Sequence, residues 1–265
     1  MLPILASVLS RVLRMKTKTN NVMSIRTIPL LLALMAVPFV AAAGSSCRLT
    51  DPNLTLQSYT ADPQHERIAM YWLKANGKDY GSLRALLSDI NGDGRVRMAM
   101  NGGIYDKAYA PLGLYIENGQ QKVAVNRASG GGNFFIKPGG VFYVKGDRAG
   151  IVSVDKLKST KGMDYAVQSG PMLIENGVIN WRLKPSASSR KLRNGVGITT
   201  QGKVVFMLSE RETNFYDFAC YAKSRLNVRQ MLYLDGTISK MYQQGGSLPW
   251  QYHPFVTMIT VETRE

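Results

Sequence analysis

Histidine, cysteine and carboxylate are all scarce in this 265-residue chain: two His, two Cys, and 18 Asp plus Glu against 33 Lys plus Arg. The histidines, His65 and His253, lie outside every glycine-rich strand end, so neither a His-rich zinc site nor a Ser-His-Asp triad has its parts. There is no G-x-x-x-x-G-K loop and no C-x-x-C pair. Ser169 stands in Gln168-Ser169-Gly170-Pro171, not in the G-x-S-x-G of a nucleophile elbow. The run Gly130-Gly131-Gly132-Asn133 leads into Phe134-Phe135-Ile136, expected as an apolar strand and not as a helix start that could hold phosphate, so nucleotide binding is not expected. A stacking-plus-basic motif for nucleic acid is also missing. No Pro- or Ser-rich linker divides the chain, which favours one domain.

A spanning apolar run is likewise absent. The run from Ile28 to Ala43 is shorter than the roughly 20 residues that cross a bilayer as a helix. It follows Arg11, Arg14, Lys16, Lys18 and Arg26 without an acid between them and closes on Ala41-Ala42-Ala43. That order of basic region, short apolar region and small residues is a secretory signal, with Met15 and Met23 as alternative starts. We expect residues 1–43 to be signal peptide and 44–265 to be the exported domain, periplasmic or secreted, with no stable membrane span in the mature chain. The residues before Cys47, Gly44-Ser45-Ser46, do not suit lipidation.

Both cysteines, Cys47 and Cys220, survive processing, and in an oxidising compartment two thiols favour a disulfide; we expect that bond. Part of the net charge of +15 belongs to the leader, and the remaining surplus is spread along the chain. This favours anionic partners such as phosphorylated glycans, while an exported chain makes nucleic acid an unsuitable one.

Short apolar strands separated by turns dominate the rest. Strands are expected at Ile68 to Leu73, Val96 to Met100, Leu112 to Ile116, Val141 to Val144, Ala166 to Ser169, Val204 to Leu208, Met231 to Leu234 and Phe255 to Val261. Asn118-Gly119 and Asn176-Gly177 read as hairpin turns. Helical spacing of Phe215, Phe218, Ala219, Ala222 and Leu226 predicts a helix from Phe215 to Leu226 after Asn214, and a shorter one is expected from Ser82 to Leu87. Asp89-Ile90-Asn91-Gly92-Asp93-Gly94 copies half a calcium loop, but its twelfth position is Met100, so a plain polar turn is expected. The fold class is α+β: one strand-rich domain with a few helices, preceded by a signal peptide.

Four apolar runs stop at small polar and glycine clusters: Met100-Asn101-Gly102-Gly103, Gln168-Ser169-Gly170-Pro171, Arg193-Asn194-Gly195-Val196-Gly197 and Leu234-Asp235-Gly236-Thr237-Ile238-Ser239. Each alone is an ordinary turn or a solvated cation. Together such ends can surround a ligand with backbone N–H groups, an arginine and a carboxylate. Arg190 and Lys191 stand near Arg193, and Asp106, Glu210 and Asp217 are possible second carboxylates beside Asp235.

These four segments, in this order, resemble the phosphodiester glycosidase domain family from about Val96 to Tyr242. Gly132-Asn133-Phe134-Phe135, Gly140-Val141-Phe142 and Asn214-Phe215-Tyr216-Asp217-Phe218-Ala219 are similar to its exported bacterial branch. The resemblance implies a hydrolase that cleaves a sugar from a sugar-1-phosphodiester, its substrate a phosphorylated carbohydrate of the envelope or an exported phosphoglycan. It implies Asp235 as catalytic carboxylate, with Asn101, Gly102, Ser169, Gly170 and Ser239 around the substrate and Arg193 on the phosphodiester. Thr237 and Ile238 stand where the enzyme branch carries two glycines, and Asn194 where it carries Thr, which implies a different substrate shape. No cofactor is expected, and a divalent metal and the oligomeric state are left open. A non-catalytic module binding phosphorylated or acidic glycan is the competing expectation.

Overall fold

Three antiparallel sheets share one apolar interior, and the ends of their strands build the site. The computed structural model describes residues 47–264; the expected signal peptide lies outside them. A six-stranded sheet runs in the order β1 (Leu56–Ala61), β12 (Val204–Ser209), β11 (Asn194–Thr199), β13 (Val228–Asp235), β9 (Met172–Glu175) and β10 (Val178–Ile179). A four-stranded sheet has the order β14 (Met241–Gln243), β3 (Val96–Asn101), β15 (Met258–Thr263) and β2 (Glu66–Tyr71). The third has five strands: β5 (Gln120–Val123), β4 (Tyr115–Glu117), β8 (Tyr165–Ser169), β6 (Gly140–Lys145) and β7 (Arg148–Ser153). Met70 and Met98, Phe142 and Val167, and Val196, Phe206 and Leu232 meet in one core, so each sheet turns one face inward.

The outer face of the six-stranded sheet is covered by α2 (Phe215–Leu226). Along β13 the two-residue period sends Leu232 and Leu234 to the shared core and Met231 and Tyr233 to the helix side. Gly195 on β11 admits the helix: a Cβ there would stand 2.8 Å from Leu232 O and 3.3 Å from the Phe218 ring. Asn214 caps α2, its side-chain oxygen accepting from Asp217 N–H at 2.8 Å, and Asn227 ends it in the left-handed conformation. The other helix, α1 (Leu83–Ile90), packs Leu83 and Leu86 beside Val96 and Met258 after a Ser82 cap. No helix among the described residues is long and apolar enough to cross a membrane.

The expected helix Phe215 to Leu226 is present, and the shorter one starts behind Ser82 but runs to Ile90. Both hairpins turn at Asn-Gly pairs with positive φ at each residue. Three strand expectations shift along the chain: β2 begins at Glu66, β15 at Met258, and the strand expected from Leu112 begins only at Tyr115. In the last case a side chain replaces half of the ladder pair: Leu114 O accepts from Gln168 N–H at 2.8 Å, but Leu114 N–H donates to Gln168 Oε1 at 3.0 Å. The strand expected at Phe134 is a 3-10 turn, Asn133–Phe135, which buries Phe134 beneath Gly113. In the polar turn after α1, the oxygens of Asp89, Asn91 and Asp93 accept from Tyr80 O–H, Val96 N–H and Arg95 N–H.

Cys47 and Cys220 form the expected disulfide, tying the start of the described chain to α2 across a sequence separation of 173. Beside it the buried Asp217 carboxylate accepts from Thr50 N–H at 2.7 Å and from the Thr50 hydroxyl. Closing so long a loop constrains the unfolded chain. Replacing both cysteines with serine is expected to lower the unfolding free energy by about 2–4 kcal/mol in denaturant titrations.

Candidate active site

The polar strand ends converge through side-chain amides. Asn101, at the end of β3, donates from Nδ2 to Asp235 Oδ2 at 3.0 Å and to Ser239 Oγ at 3.4 Å. Its Oδ1 accepts from Asn194 Nδ2 and from Lys240 N–H, both at 3.1 Å. Asn194, at the start of β11, accepts Asp235 N–H on its own Oδ1 at 2.8 Å and gives a second bond to Asn101 O at 3.1 Å. Gly236 N–H donates to Asp235 Oδ1 at 2.7 Å. Each amide oxygen thus faces donors and each NH2 faces acceptors, which fixes both Asn orientations and the carboxyl between them.

Asp235 forms part of the lining of a cavity of about 360 Å3, with Ile104, Tyr105, Asn133, Lys191 and Tyr233 among the other walls. One edge of the carboxyl meets the cavity while protein surrounds the rest, and this burial pushes its pKa up to about 6 from an ordinary 3.8. The Gly236 N–H and the Asn101 amide pull the other way and lose to burial. Tyr105 is raised, first by burial and then by the Asp235 charge. Tyr233 is pushed up to about 12, first by burial, with Arg193 opposing. Among the described residues, the Asp235 carboxyl is the one acid on this cavity wall and Lys191 the one cation.

A larger cavity, about 830 Å3, opens at the other end of β3 and β15. Its buried carboxylate, Glu262, is engaged by Arg67 at 2.5 Å, Tyr71 O–H at 2.8 Å and Thr260 O–H at 2.6 Å. That carboxylate is committed to structure, whereas Asp235 is held short of its ordinary acidity. Reactivity therefore points to the smaller cavity.

The other expected site residues support the cavity without lining it. Ser169 is fully buried and donates to Leu234 O at 3.0 Å, tying β8 to the end of β13. Gly102 and Gly170 allow close approach: added Cβ atoms would stand 2.4 Å from Thr257 Oγ1 and 2.6 Å from Phe134 O. Ser239 closes the turn after Asp235 through its N–H to Gly236 O at 2.8 Å. Arg193 is 1 % exposed; its Nε donates to Thr213 O and its Nη2 to Ser189 O, with the guanidinium 3.9 Å from the Phe215 ring centre. That placement sets it behind the wall, and the cation on the wall is Lys191.

None of the candidate second carboxylates lines the cavity. Asp106 caps its own loop by accepting from Ala108 N–H and Ala110 N–H, Asp217 serves Thr50, and Glu210 is exposed elsewhere. Thr237 and Ile238 do line it, in a turn without positive φ, so their side chains narrow the mouth and leave the backbone unstrained. Sequence reading missed Asn194, Tyr233, Tyr105 and Asn133. A signal existed for two of them: Asn194 adjoins Arg193 at a strand start, and Tyr233 precedes Asp235 by one strand period.

A strand-rich α+β domain with a raised carboxyl at converging strand ends defines a class, and the match is direct. Residues 94–261 fit the family model described as phosphodiester glycosidase, and the chain belongs to that family. It is similar to the uncharacterized protein YigE of Escherichia coli K12, 65% identical over 233 residues, covering 88% of this chain and 92% of that protein. Two solved structures share the fold. The catalytic domain of zebrafish N-acetylglucosamine-1-phosphodiester alpha-N-acetylglucosaminidase, auto-inhibited by its pro-peptide, has a TM-score of 0.52 and 16% identity over 83% of this chain and 86% of that one. A hypothetical protein of Synechocystis has a TM-score of 0.51 and 14% identity over 80% of this chain and 59% of that one.

Because the folded pKa of Asp235 lies above its unfolded value, the group favours folding below pH 3.8, and that contribution is lost as pH rises through about 6. Asn101→Ala removes a donor to the ionised form. The Asp235 midpoint is expected to move above 6, read by carboxyl 13C NMR titration; an unchanged or lower midpoint would refute this account of the site.

Proposed function

We propose that the protein is an exported hydrolase that releases a sugar from a sugar-1-phosphodiester, acting on a phosphorylated glycan of the envelope or of an exported polymer. The family supports the reaction type. The basic and apolar leader and the Cys47–Cys220 bond support export. The observation that carries the reading is Asp235: a carboxyl on the cavity wall, fixed by two amide donors, raised to about 6, in a cavity that Lys191 also lines.

A phosphodiester carries one negative charge, and Lys191 on the cavity wall offsets it. The departing phosphomonoester is a weak base that needs no proton to leave, so a second acidic group is dispensable. Ionised Asp235 then acts as base on a water or as nucleophile at the anomeric carbon. The C1–O bond breaks with its electron pair going to the phosphate oxygen. The water oxygen ends on the sugar, directly or after hydrolysis of a glycosyl–Asp235 ester, and its proton leaves through the carboxylate. Thr237 and Ile238 restrict which sugar enters.

Incubation with a panel of sugar-1-phosphodiesters, with and without chelator, is expected to release free sugar and phosphomonoester. Asp235→Asn should abolish release while keeping ligand affinity. In the wild type kcat/KM should rise with pH through about 6, because the ionised carboxylate is the active form. Lys191→Ala should raise KM roughly tenfold, the worth of one charge-assisted contact. Tight binding without release across the panel would replace the hydrolase by a glycan-binding module, and full activity in Asp235→Asn would remove Asp235 from the reaction.

A further inference from the structure

Tyr233 lies two residues before Asp235 on β13, and the strand period turns both side chains to one face, where both line the cavity. The ring is held edge-on by Phe215, their centroids 4.7 Å apart at 84°. Its hydroxyl stands over Gly236: a Cβ on that glycine would come within 2.6 Å of the phenolic oxygen. The N–H of the same glycine holds Asp235 Oδ1. Hydroxyl and carboxyl therefore converge on a single peptide unit, and glycine is the residue that permits it.

Arg193 packs against the Tyr233 ring, its guanidinium carbon 5.6 Å from the ring centre, and Asn133 shares the cavity wall with it. A phenol has one proton and two lone pairs. Its O–H can therefore donate to a ligand oxygen in the cavity that Tyr233 lines. Arg193 itself is fixed by Thr213 O at 3.2 Å, Ser189 O at 3.0 Å and the faces of Phe215 and Tyr233.

We propose that the Tyr233 hydroxyl and the Lys191 ammonium form the phosphoryl-binding corner of the cavity, the phenol donating to a non-bridging phosphate oxygen and Arg193 acting behind it as a positioning residue. The proposal rests on the phosphodiester reading above. Lys191 supplies charge without direction, whereas the phenol supplies one directed donor, locked by its ring contacts. As the C1–O bond breaks, charge on the phosphate grows, so a donor at a non-bridging oxygen is worth more in the transition state than before it. A phenol raised to about 12 stays protonated, and so remains a donor, throughout the neutral range. The guanidinium, packed against the ring from behind, holds the phenol in place.

Tyr233→Phe removes the hydroxyl and keeps the ring. Its affinity for a sugar 1-phosphate, measured by titration calorimetry, is expected to fall roughly tenfold or more, and kcat on any phosphodiester turned over should fall roughly ten- to a hundredfold. Unchanged affinity and kcat in the folded variant would overturn the corner, as would a wild type that binds no sugar 1-phosphate. Tyr233-dependent binding with no hydrolysis of any diester would uphold the corner while removing the hydrolase reading. Full-rate hydrolysis by Tyr233→Phe would do the reverse. Arg193→Lys keeps the charge and loses the planar fork; it should weaken binding with Tyr233 present and leave Tyr233→Phe unaffected. Equal losses in both backgrounds would overturn the positioning role.

Discussion

The hydrogen-bonded cross-link of Asn101, Asn194 and Asp235 is the interaction on which the site depends. Asn101 belongs to the four-stranded sheet and the other two to the six-stranded sheet, so the cross-link joins two sheets where the cavity opens. A carboxylate removed from water is costly unless donors replace its hydration. Here Gly236 and Asn101 supply part of that replacement, enough to fix the carboxyl but too little to restore its ordinary acidity. The incomplete compensation leaves a carboxyl poised near neutral pH, as general-base and nucleophilic chemistry require.

Around this cross-link, residues that look like ligand contacts in the sequence serve to bring backbones together. Ser169 bonds the five-stranded sheet to Leu234, one residue before the carboxylate. Gly102 leaves room for Thr257, Gly195 for α2 and Gly236 for the Tyr233 hydroxyl. Arg193 stacks under Phe215 and Tyr233 and satisfies the carbonyls of Thr213 and Ser189, stiffening one wall from behind. The loop that places Lys191 on that wall is held to Thr213 by two backbone hydrogen bonds. The geometry of the cavity and the stability of the fold thus use the same contacts, which explains the concentration of small and amide residues at these four strand ends.

Where a property depends on near neighbours, it could be read from the residues. The α2 stripe, its Asn214 cap, both Asn-Gly hairpins and most apolar strands follow from spacing and turn chemistry, which act over a few residues. The segment Leu112 to Leu114 could not be read that way, because its backbone is satisfied by scattered partners: Leu112 N–H by Ile104 O, and Leu114 N–H by the side chain of Gln168 on another strand. Phe134 and Phe135 carry a strand's composition, yet they turn because Phe134 is buried beneath Gly113 and against Gly170. The same limit applies to the site. Asp235 and Asn101 were recognisable as polar stops on apolar strands, but Asn194 acts only because strand pairing sets it opposite Asp235.

By itself the sequence determined the strand-rich class, the family resemblance and the cysteine pair, and it marked Asp235 as a polar stop on an apolar strand, because composition, period and motif order are written in the linear chain. Tertiary structure alone decided that Lys191 faces the cavity while Arg193 stands behind it, that Asp106, Glu210 and Asp217 are engaged or exposed elsewhere, and that Tyr233 joins Asp235 over Gly236. The physical reason is that burial and donor count are properties of a neighbourhood assembled from strands far apart in the chain. Two basic residues separated by one position are alike in composition, and only the folded chain turns one of them to the cavity and the other into the wall.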